Sequence, residues 1–193
     1  MALDAYAAAT DEALLTLYGN GDPSAAQILT TRLAPRVLGY ASRLLGGDRA
    51  EAEDVTQEAM LRLWKQAPEW RRGEAKISTW LYTVTTNLCT DRLRKRRSVD
   101  IDAIEEPADG KPSAVDGLIQ ADRATALQDA LNTLPERQRV AVALRHLEGA
   151  TNPEIADILE ISVEAVESLT ARGKKALAMA LAGRRKELGY GED

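Results

Sequence analysis

Near the middle of the chain, an amide and a carboxylate precede a run of basic residues, and side chains of these types suit contact with a nucleic acid. Five of the six residues from Arg92 to Arg97 are Lys or Arg, and Asn87 and Asp91 lie about two turns and one turn of helix before the middle of that run. A helix dipole favours cations at its C-terminus by about 0.3–1 kcal/mol each. Five cations are more than a dipole needs, so the run predicts a contact with a polyanion rather than only a solvated helix end.

The segment that carries these groups, residues 77–97, is predicted to be one amphipathic helix. Ile77, Leu81, Val84 and Leu88 recur at steps of four, three and four, which places them on one side of a helix and directs them into a core. The amide and the carboxylate lie on a neighbouring strip. The helix therefore has one buried side and one side available to a partner.

The composition predicts an all-α protein. The 193 residues are 45% hydrophobic and include no Phe, and Ala, Leu, Glu and Arg dominate. The single cysteine, Cys89, is expected to be a buried small hydrophobe, and it cannot form a disulfide within the chain. No signal sequence follows Met1 and no run is long enough to cross a bilayer, so the prediction is a cytoplasmic protein without membrane insertion.

Charge is distributed unevenly along the chain. The net charge is −5, with +2 on residues 1–97 and −7 on residues 98–193. Because phosphate neutralisation supplies most non-specific affinity for DNA, this balance argues against a protein that grips DNA by itself. Basic groups are nevertheless concentrated at Arg92–Arg97 and at Arg172–Lys175, so local contacts with a polyanion remain possible.

Capping residues mark the predicted helices of the first half. After a loosely ordered N-terminus, a short helix is expected over residues 10–18. Asp22 with Pro23 begins a second helix, and Asp48 begins a third that ends near Pro68. The core-facing residues of the third helix are predicted to be Val55, Ala59 and Leu63.

An acidic segment, residues 98–117, separates two predicted domains. It contains six acidic residues, two prolines and two glycines against one lysine, a composition that cannot bury enough apolar surface to fold alone. We expect a flexible linker there, a helical domain over residues 1–97 and a second domain over residues 118–193. In the second domain, one helix is predicted over residues 118–132 and another from Pro135 through Leu147.

Residues 151–177 have the pattern of a helix-turn-helix. Thr151 or Asn152 caps a short helix, a tight turn follows, and Ser162 caps a longer helix. The residues of the longer helix predicted to face inward are Val163, Val166 and Leu169 or Thr170. Those predicted to face outward are Glu164, Glu167, Ser168, Ala171 and Arg172. An ordinary αα-hairpin is the alternative at this point.

Three stretches together carry a resemblance to a known family. They are AEDVTQEAMLRLWKQ (52–66), ISTWLYTVTTNLCTDRLRKRR (77–97) and LPERQRVAVALRHLEGATNPEIADILEISVEAVESLTARGKKAL (134–177). In order and spacing the chain resembles the extracytoplasmic-function (ECF) sigma factors of bacteria, and most of all their sigma-E-like members. The resemblance implies two helical domains that bind core RNA polymerase and place it on promoter DNA, and it implies an anti-sigma factor as a regulator.

The resemblance also implies site residues in the first domain. The polymerase-binding residues would be Asp54, Gln57, Glu58 and Leu61, for which a solvated acidic face is the alternative. The residues that open and read the minus 10 element would be Arg71, Arg72, Lys76, Asn87, Asp91, Arg92, Arg94 and Lys95. Amide and aromatic groups beside cations suit single-stranded DNA. Trp64 and Trp80 are expected to anchor the core rather than to stack on bases.

The second domain resembles the one that reads the minus 35 element as duplex. Residues matching that role are Arg145, Glu167, Ser168, Arg172, Lys174 and Lys175, with Arg145 and the two lysines matching phosphate contacts. The chain departs from the family at three positions. Glu160 replaces the usual Gly of the turn, Glu167 replaces a usual cation, and Leu169 replaces a usual Arg. A non-Gly residue at positive φ costs about 1–2 kcal/mol, so a strained or altered turn is expected. Glu164 is expected to interact with the helix dipole, whereas Glu167 could either do so or accept from a cytosine amino group.

No pattern predicts a catalytic or metal site. His146 has no Cys or His partner at ligand spacing, and no nucleophile-base set is present, so the prediction is a protein that is not an enzyme and needs no cofactor. Two rival functions are a free-standing helix-turn-helix regulator and a helical adaptor that binds an anti-sigma factor. The first leaves residues 48–97 without a role, and the second does not explain Arg92–Arg97 beside Asn87.

Overall fold

Every regular element in the described part of the chain is helical. The computed structural model describes residue 6 and residues 8–70, 76–100 and 118–182. The helices are α1 (Asp11–Gly19), α2 (Pro23–Leu44), α3 (Arg49–Gln66), α4 (Ile77–Asp100), α5 (Leu118–Asn132), α6 (Glu136–Val142), α7 (Asn152–Leu159) and α8 (Val163–Ala182). A 3₁₀ turn (Ala67–Glu69) follows α3, and a π turn (Ala143–Leu147) follows α6. The all-α prediction is confirmed.

Contacts divide the chain into two compact units. The first comprises Met1–Thr90 with Asp157–Glu160, and the second comprises Asp91–Ala156 with Ile161–Asp193. Helix α4 continues to Asp100, three residues beyond the domain end expected at Arg97. The rest of the segment predicted as a linker, residues 101–117, lies outside the described residues.

Side-chain caps begin three helices of the first unit, and the caps at Asp22 and Asp48 were predicted. Thr10 accepts a hydrogen bond from the Ala13 N–H at 3.2 Å, and Asp22 accepts one from the Ser24 N–H at 2.9 Å. Asp48 accepts from the Glu51 N–H at 3.0 Å. Each side chain satisfies one of the N–H groups that a helix start leaves without an intrahelical partner.

The described residues before α1 are tied to α2, whereas residues 1–5 and 7 of the N-terminus that we expected to be loosely ordered lie outside the described residues. The Tyr6 hydroxyl donates to the Asp22 carboxylate at 2.5 Å. Arg32 of α2 donates to the Ala9 carbonyl at 2.8 Å and to the Asp11 carboxylate at 3.1 Å. The Arg32 guanidinium and the Tyr6 hydroxyl thus connect the N-terminal segment to α2, which no local sequence pattern indicates.

The core of the first unit lies where α1, α2, α3 and α4 meet. Its fully buried members include Leu14, Leu29, Leu63, Ile77 and Leu81, none more than 1% exposed. The core-facing sides predicted for α3 and α4 are both confirmed, because Val55, Ala59, Leu63, Ile77 and Leu81 are buried and Val84 and Leu88 pack against the same cluster.

Aromatic side chains connect these helices. Tyr40 of α2 is fully buried, its ring meets Tyr82 edge to face at 5.0 Å, and its hydroxyl is hydrogen-bonded to Thr86 at 2.8 Å. Trp64 and Trp80 are half-buried and pack against the core, as expected of anchors. Cys89 is buried, as predicted.

The second unit is held together by a close approach of α6 and α8. A Cβ built at Gly173 of α8 would lie 2.5 Å from a methyl carbon of Val142 and 3.3 Å from the Gln138 carbonyl oxygen. Because real Cβ contacts are not that short, only glycine permits this crossing. Leu131, Leu134 and Val142 form the core next to it, and Leu127 and Leu177 pack against that core.

Replacing Gly173 with Ala should therefore destabilise the second unit. Overpacking costs about 1–3 kcal/mol, of which a gain of up to about 1 kcal/mol in helix propensity offsets a part. The measurement is the free energy of unfolding from urea titration. The matched control is Gly39→Ala in α2, where the nearest atom to the added Cβ is the Arg43 guanidinium nitrogen at 3.4 Å. The control should be neutral or slightly stabilising, and equal effects of the two variants would contradict the close crossing.

Candidate functional site

One strip of α4 is exposed while its opposite side is buried. Asn87 and Asp91 are exposed one turn apart, whereas Thr85 and Cys89 on the other side are 0% and 1% exposed. The buried Thr85 hydroxyl donates to the Leu81 carbonyl at 2.7 Å, which satisfies it within the helix. The helix thus presents an amide and a carboxylate to solvent on a backbone held by the core.

The predicted basic groups of α4 lie on both ends of this strip. Lys76 is exposed just before the helix starts, and Arg94 and Lys95 are exposed near its end, while Arg92 is half-buried. Arg94 lies 3.6 Å from the Asp91 carboxylate, an exposed i,i+3 pair that is worth little energetically. Arg71 and Arg72, also predicted for this site, lie outside the described residues.

The predicted polymerase-binding residues form an exposed strip on α3. Asp54 and Gln57 are exposed, Glu58 is half-buried, and Leu61 is 47% exposed although it is apolar. Glu58 accepts from Arg62 at 2.8 Å, an i,i+4 ion pair of the helix surface.

Gln57 and Leu61 also line a groove between α2 and α3 with a volume of about 540 Å³. Its further lining residues include Pro35, Leu38, Met60 and Trp64. Sequence reasoning missed the α2 side of this groove. The available signal was the apolar Leu61 on an otherwise polar strip, which indicates a contact surface but does not say which helix forms its other wall.

The helix-turn-helix consists of α7, the turn Glu160–Ser162 and α8. Thr151, rather than Asn152, caps α7: the Thr151 N–H donates to the Glu154 carboxylate at 2.8 Å, and the Glu154 N–H donates back to the Thr151 hydroxyl at 3.4 Å. This reciprocal pair is a capping box. Ser162 caps α8 by accepting from the Ala165 N–H at 3.2 Å.

Glu160 adopts the strained turn conformation expected from its place in the sequence. Its φ is +52°, and among the described residues it is the one non-Gly residue with positive φ. L-residues other than Gly, Asn and Asp rarely adopt this region because Cβ crowds the following carbonyl oxygen. The turn adopts this conformation although it lacks the glycine that would suit it.

The exposed side of α8 carries the residues predicted to face duplex DNA. Glu164, Glu167, Ser168 and Arg172 are all exposed, while Val166 is fully buried. The inward orientation expected for a further residue was wrong: Val163 is 36% exposed, because it is the first residue of α8 and lies beyond the core of the unit.

Glu164 interacts with the start of its own helix. Its own backbone N–H and the Ser162 hydroxyl hydrogen-bond to it, and these contacts lower the pKa of its carboxyl. This agrees with the expected interaction between an acidic first turn and the helix dipole. Glu167, one turn further along, is exposed, and both interpretations of its role stay open.

The predicted phosphate-contacting residues Arg145, Lys174 and Lys175 are exposed. Arg145 lies in the π turn, where the sequence predicted a continuous helix to Leu147. Its guanidinium donates to the Ala150 carbonyl at 3.1 Å, which anchors the side chain next to the start of α7. A π turn places this residue differently from an α-helix of the same length, and such turns are frequent at functional sites.

Comparison with known proteins identifies both halves of the chain. The family model Sigma-70 region 2 matches residues 29–99, and Sigma-70, region 4 matches residues 124–177. The ECF RNA polymerase sigma factor SigW of Bacillus subtilis is 30% identical over 168 residues, which cover 81% of this chain and 89% of that protein. The chain belongs to the family of ECF RNA polymerase sigma factors. It is therefore an alternative sigma factor, a transcription initiation factor that works with core RNA polymerase, and the family predicted from the sequence is confirmed.

Two further comparisons agree with this assignment. SigE of Mycolicibacterium smegmatis, also an ECF RNA polymerase sigma factor, is 33% identical over 157 residues, 77% of this chain but only 58% of that longer protein. The sigma factor RpoE of Bartonella quintana, solved in complex with the anti-sigma factor NepR, has the same fold with a TM-score of 0.67. The identity is 22%, and the match covers 81% of this chain and 96% of that one. The prediction of two helical domains, the second with a helix-turn-helix, is confirmed.

In the part of the chain that the structure describes, no helix is long and apolar enough to span a membrane. Within the same residues, no group of three or more His, Cys, Asp or Glu side chains is arranged to hold a metal ion.

The strain at Glu160 predicts that Glu160→Gly stabilises the folded chain. Glycine removes a conformational cost of about 1–2 kcal/mol and adds about 0.5–1 kcal/mol of unfolded-state entropy, so the net gain should be about 0.5–1 kcal/mol. Urea unfolding measures the free energy. Glu160→Ala is the matched control, because it removes the carboxylate and keeps the positive φ; it should change stability little. A loss of stability in the glycine variant would contradict strain at this turn.

Proposed function

We propose that the chain directs core RNA polymerase to promoters through three separate surfaces, one for the polymerase and two for DNA. The observation that carries this proposal is the two-sided α4, whose apolar side is buried and whose Asn87 and Asp91 are exposed beside cations. We further propose that residues 1–97 and 118–193 act as the two functional domains and that residues 98–117 connect them. In this proposal the polymerisation chemistry belongs to the polymerase, and the chain acts in the cytoplasm at stress-response promoters.

The proposed polymerase surface is the strip of Asp54, Gln57, Glu58 and Leu61 on α3. Leu61 is half-exposed on an otherwise polar strip and lies at the edge of the groove between α2 and α3. Burial of a leucine side chain contributes about 1.5–3 kcal/mol, and carboxylates at the rim favour a partner with basic residues. This combination supports a protein partner rather than a solvated acidic face.

The proposed minus 10 surface is the exposed side of α4. Asn87 offers both a donor and an acceptor to a base edge, and the cations at Lys76, Arg94 and Lys95 suit neutralisation of the DNA backbone. Arg71, Arg72, Asp91 and Arg92 belong to the same proposed surface. Tyr40 and Thr86 hold α4 against α2, which provides a rigid base for reading individual bases.

The proposed minus 35 surface is the exposed side of α8, with Arg145 and Lys174 at its border. Ser168 and Arg172 are four residues apart and exposed on one helix, so both can face the same stretch of major groove. The Arg172 guanidinium donates to the Ser168 carbonyl at 3.2 Å in the free chain, an exposed contact that DNA can replace. Glu167 and Lys175 are part of the same proposed surface.

An anti-sigma factor is proposed as a regulatory partner. RpoE of Bartonella quintana, which shares the fold, was solved with such a partner. An inhibitor that covered the groove between α2 and α3 would compete directly with polymerase, because the same residues line both proposed contacts.

A reconstituted holoenzyme tests the proposal. Its promoters are first mapped by sequencing the RNA that it makes on fragmented genomic DNA. The variant Asn87→Ala/Arg92→Ala should bind core polymerase like the native chain and form about 10- to 100-fold fewer open complexes, because two contacts of about 1 kcal/mol or more are lost. Co-elution measures polymerase binding, and permanganate reactivity of unpaired thymines measures opening.

Two further variants complete the design. Leu61→Ala should weaken core binding about tenfold without a separate effect on opening. Gln27→Ala, an exposed position on α2, is the control and should change neither property. If Asn87→Ala/Arg92→Ala loses polymerase binding and opening to the same degree, these residues are structural and the proposed minus 10 surface is wrong.

A further inference from the structure

The one histidine of the chain lies in a region of the second unit that is rich in cations. The sequence contains a single His, His146, and this residue is exposed in the π turn Ala143–Leu147, directly after Arg145. Neither the predicted DNA-contacting set nor the family resemblance assigns it a role.

The close crossing of α6 and α8 brings a second cation to the same place. Gly173 of α8 lies against Val142, the last residue of α6, and the π turn begins with the next residue. Lys174 follows Gly173 and is exposed, so it belongs to the part of α8 that crosses the end of α6, and its charge acts on His146. Arg145 lies in the π turn itself, and its guanidinium donates a hydrogen bond to the Ala150 carbonyl at 3.1 Å.

The surroundings of His146 disfavour a positive charge on its imidazole in the free chain. Partial burial, the Lys174 ammonium and the Arg145 guanidinium, in that order, lower the pKa of His146 below its ordinary value. Lys174 on α8 and Arg145 on the turn are the charged groups that act on it from the two elements around it. The free chain therefore disfavours the imidazolium form of His146, and an anion placed among the three groups would favour it.

We propose that Arg145, His146 and Lys174 together form a binding site for one backbone phosphate of duplex DNA, in which His146 takes up a proton as the phosphate enters. This inference rests on the proposed duplex-binding function of the second unit and adds a residue to it. The imidazole proton comes from solvent, and the phosphate accepts hydrogen bonds from the imidazolium and from its two cationic neighbours. DNA affinity then rises as the pH falls.

The sign and size of the effect follow from linkage. A pKa that is lower in the free chain than in the complex means that the complex binds more protons, so acidification favours binding. If the pKa of His146 rises by one unit on binding, the affinity for DNA is tenfold higher at a pH where His146 is protonated in both states than at a pH where it is neutral in both states. We expect a gain of about that size between pH 7.5 and pH 5.5.

Two measurements test the inference. In the free chain, the single imidazole Hε1 resonance gives the pKa of His146 by NMR titration; it should lie below 6.5, and Lys174→Gln should raise it. In the reconstituted holoenzyme, promoter affinity is measured from pH 5.5 to 7.5 for the native chain and for His146→Gln. Groups of the polymerase that titrate in this range cancel in the ratio of the two affinities. The affinity of the native chain divided by that of His146→Gln should rise up to about tenfold as the pH falls.

Each alternative outcome has a definite meaning. A ratio that stays flat across the pH range overturns the phosphate site, even if both proteins bind the promoter. An unchanged pKa in Lys174→Gln overturns the arrangement of the three groups. If the native holoenzyme binds no promoter at any pH, the proposed function itself is wrong, and the inference falls with it.

Discussion

The burial of one side of α4 is the constraint on which the rest of the first unit depends. Ile77 and Leu81 are 0% and 1% exposed in the core, and Thr86 on the same helix is hydrogen-bonded to the buried Tyr40 of α2 at 2.8 Å. Successive residues of a helix are separated by about 100°, so a shift of one residue would turn Asn87 towards the core and Leu88 towards solvent. The apolar stripe thus fixes which polar groups of α4 face solvent.

The positions of the exposed cations matter more for DNA binding than the net charge of the chain does. The chain carries a net charge of −5, yet Arg94 and Lys95 on α4 and Lys174 and Lys175 on α8 are exposed. At physiological ionic strength charges are screened over about 8 Å, so a cation close to a phosphate acts mainly through its immediate surroundings. Few such contacts give little affinity alone, which is consistent with a protein that depends on a larger partner to hold DNA.

Much of this structure could be predicted from sequence because local physics determines it. Asp22 and Asp48 begin their helices through side-chain hydrogen bonds within three residues, and the apolar stripes of α3 and α4 face the core as their spacing requires. The positive φ of Glu160 followed from a resemblance in which glycine is usual at that place. The roles of individual site residues stay predictions, since a fold does not reveal what its surface binds.

The features that escaped prediction depend on contacts distant in sequence. The tie from Arg32 to the Ala9 carbonyl, the α2 wall of the groove and the π turn at Arg145 all depend on how elements pack. Val163 was assigned inward from helical spacing alone, which cannot indicate where a core ends.

We propose that the exposed side of α4 meets single-stranded promoter DNA only within the holoenzyme. Photo-crosslinking from a photoreactive amino acid at position 87 tests it most directly, with the same probe at Gln27 as the control. The account predicts that position 87 crosslinks to the unpaired strand of the promoter when core polymerase is present, and that free chain and control give no such product. Equal crosslinking to duplex DNA without polymerase, or crosslinking only to polymerase subunits, would contradict it.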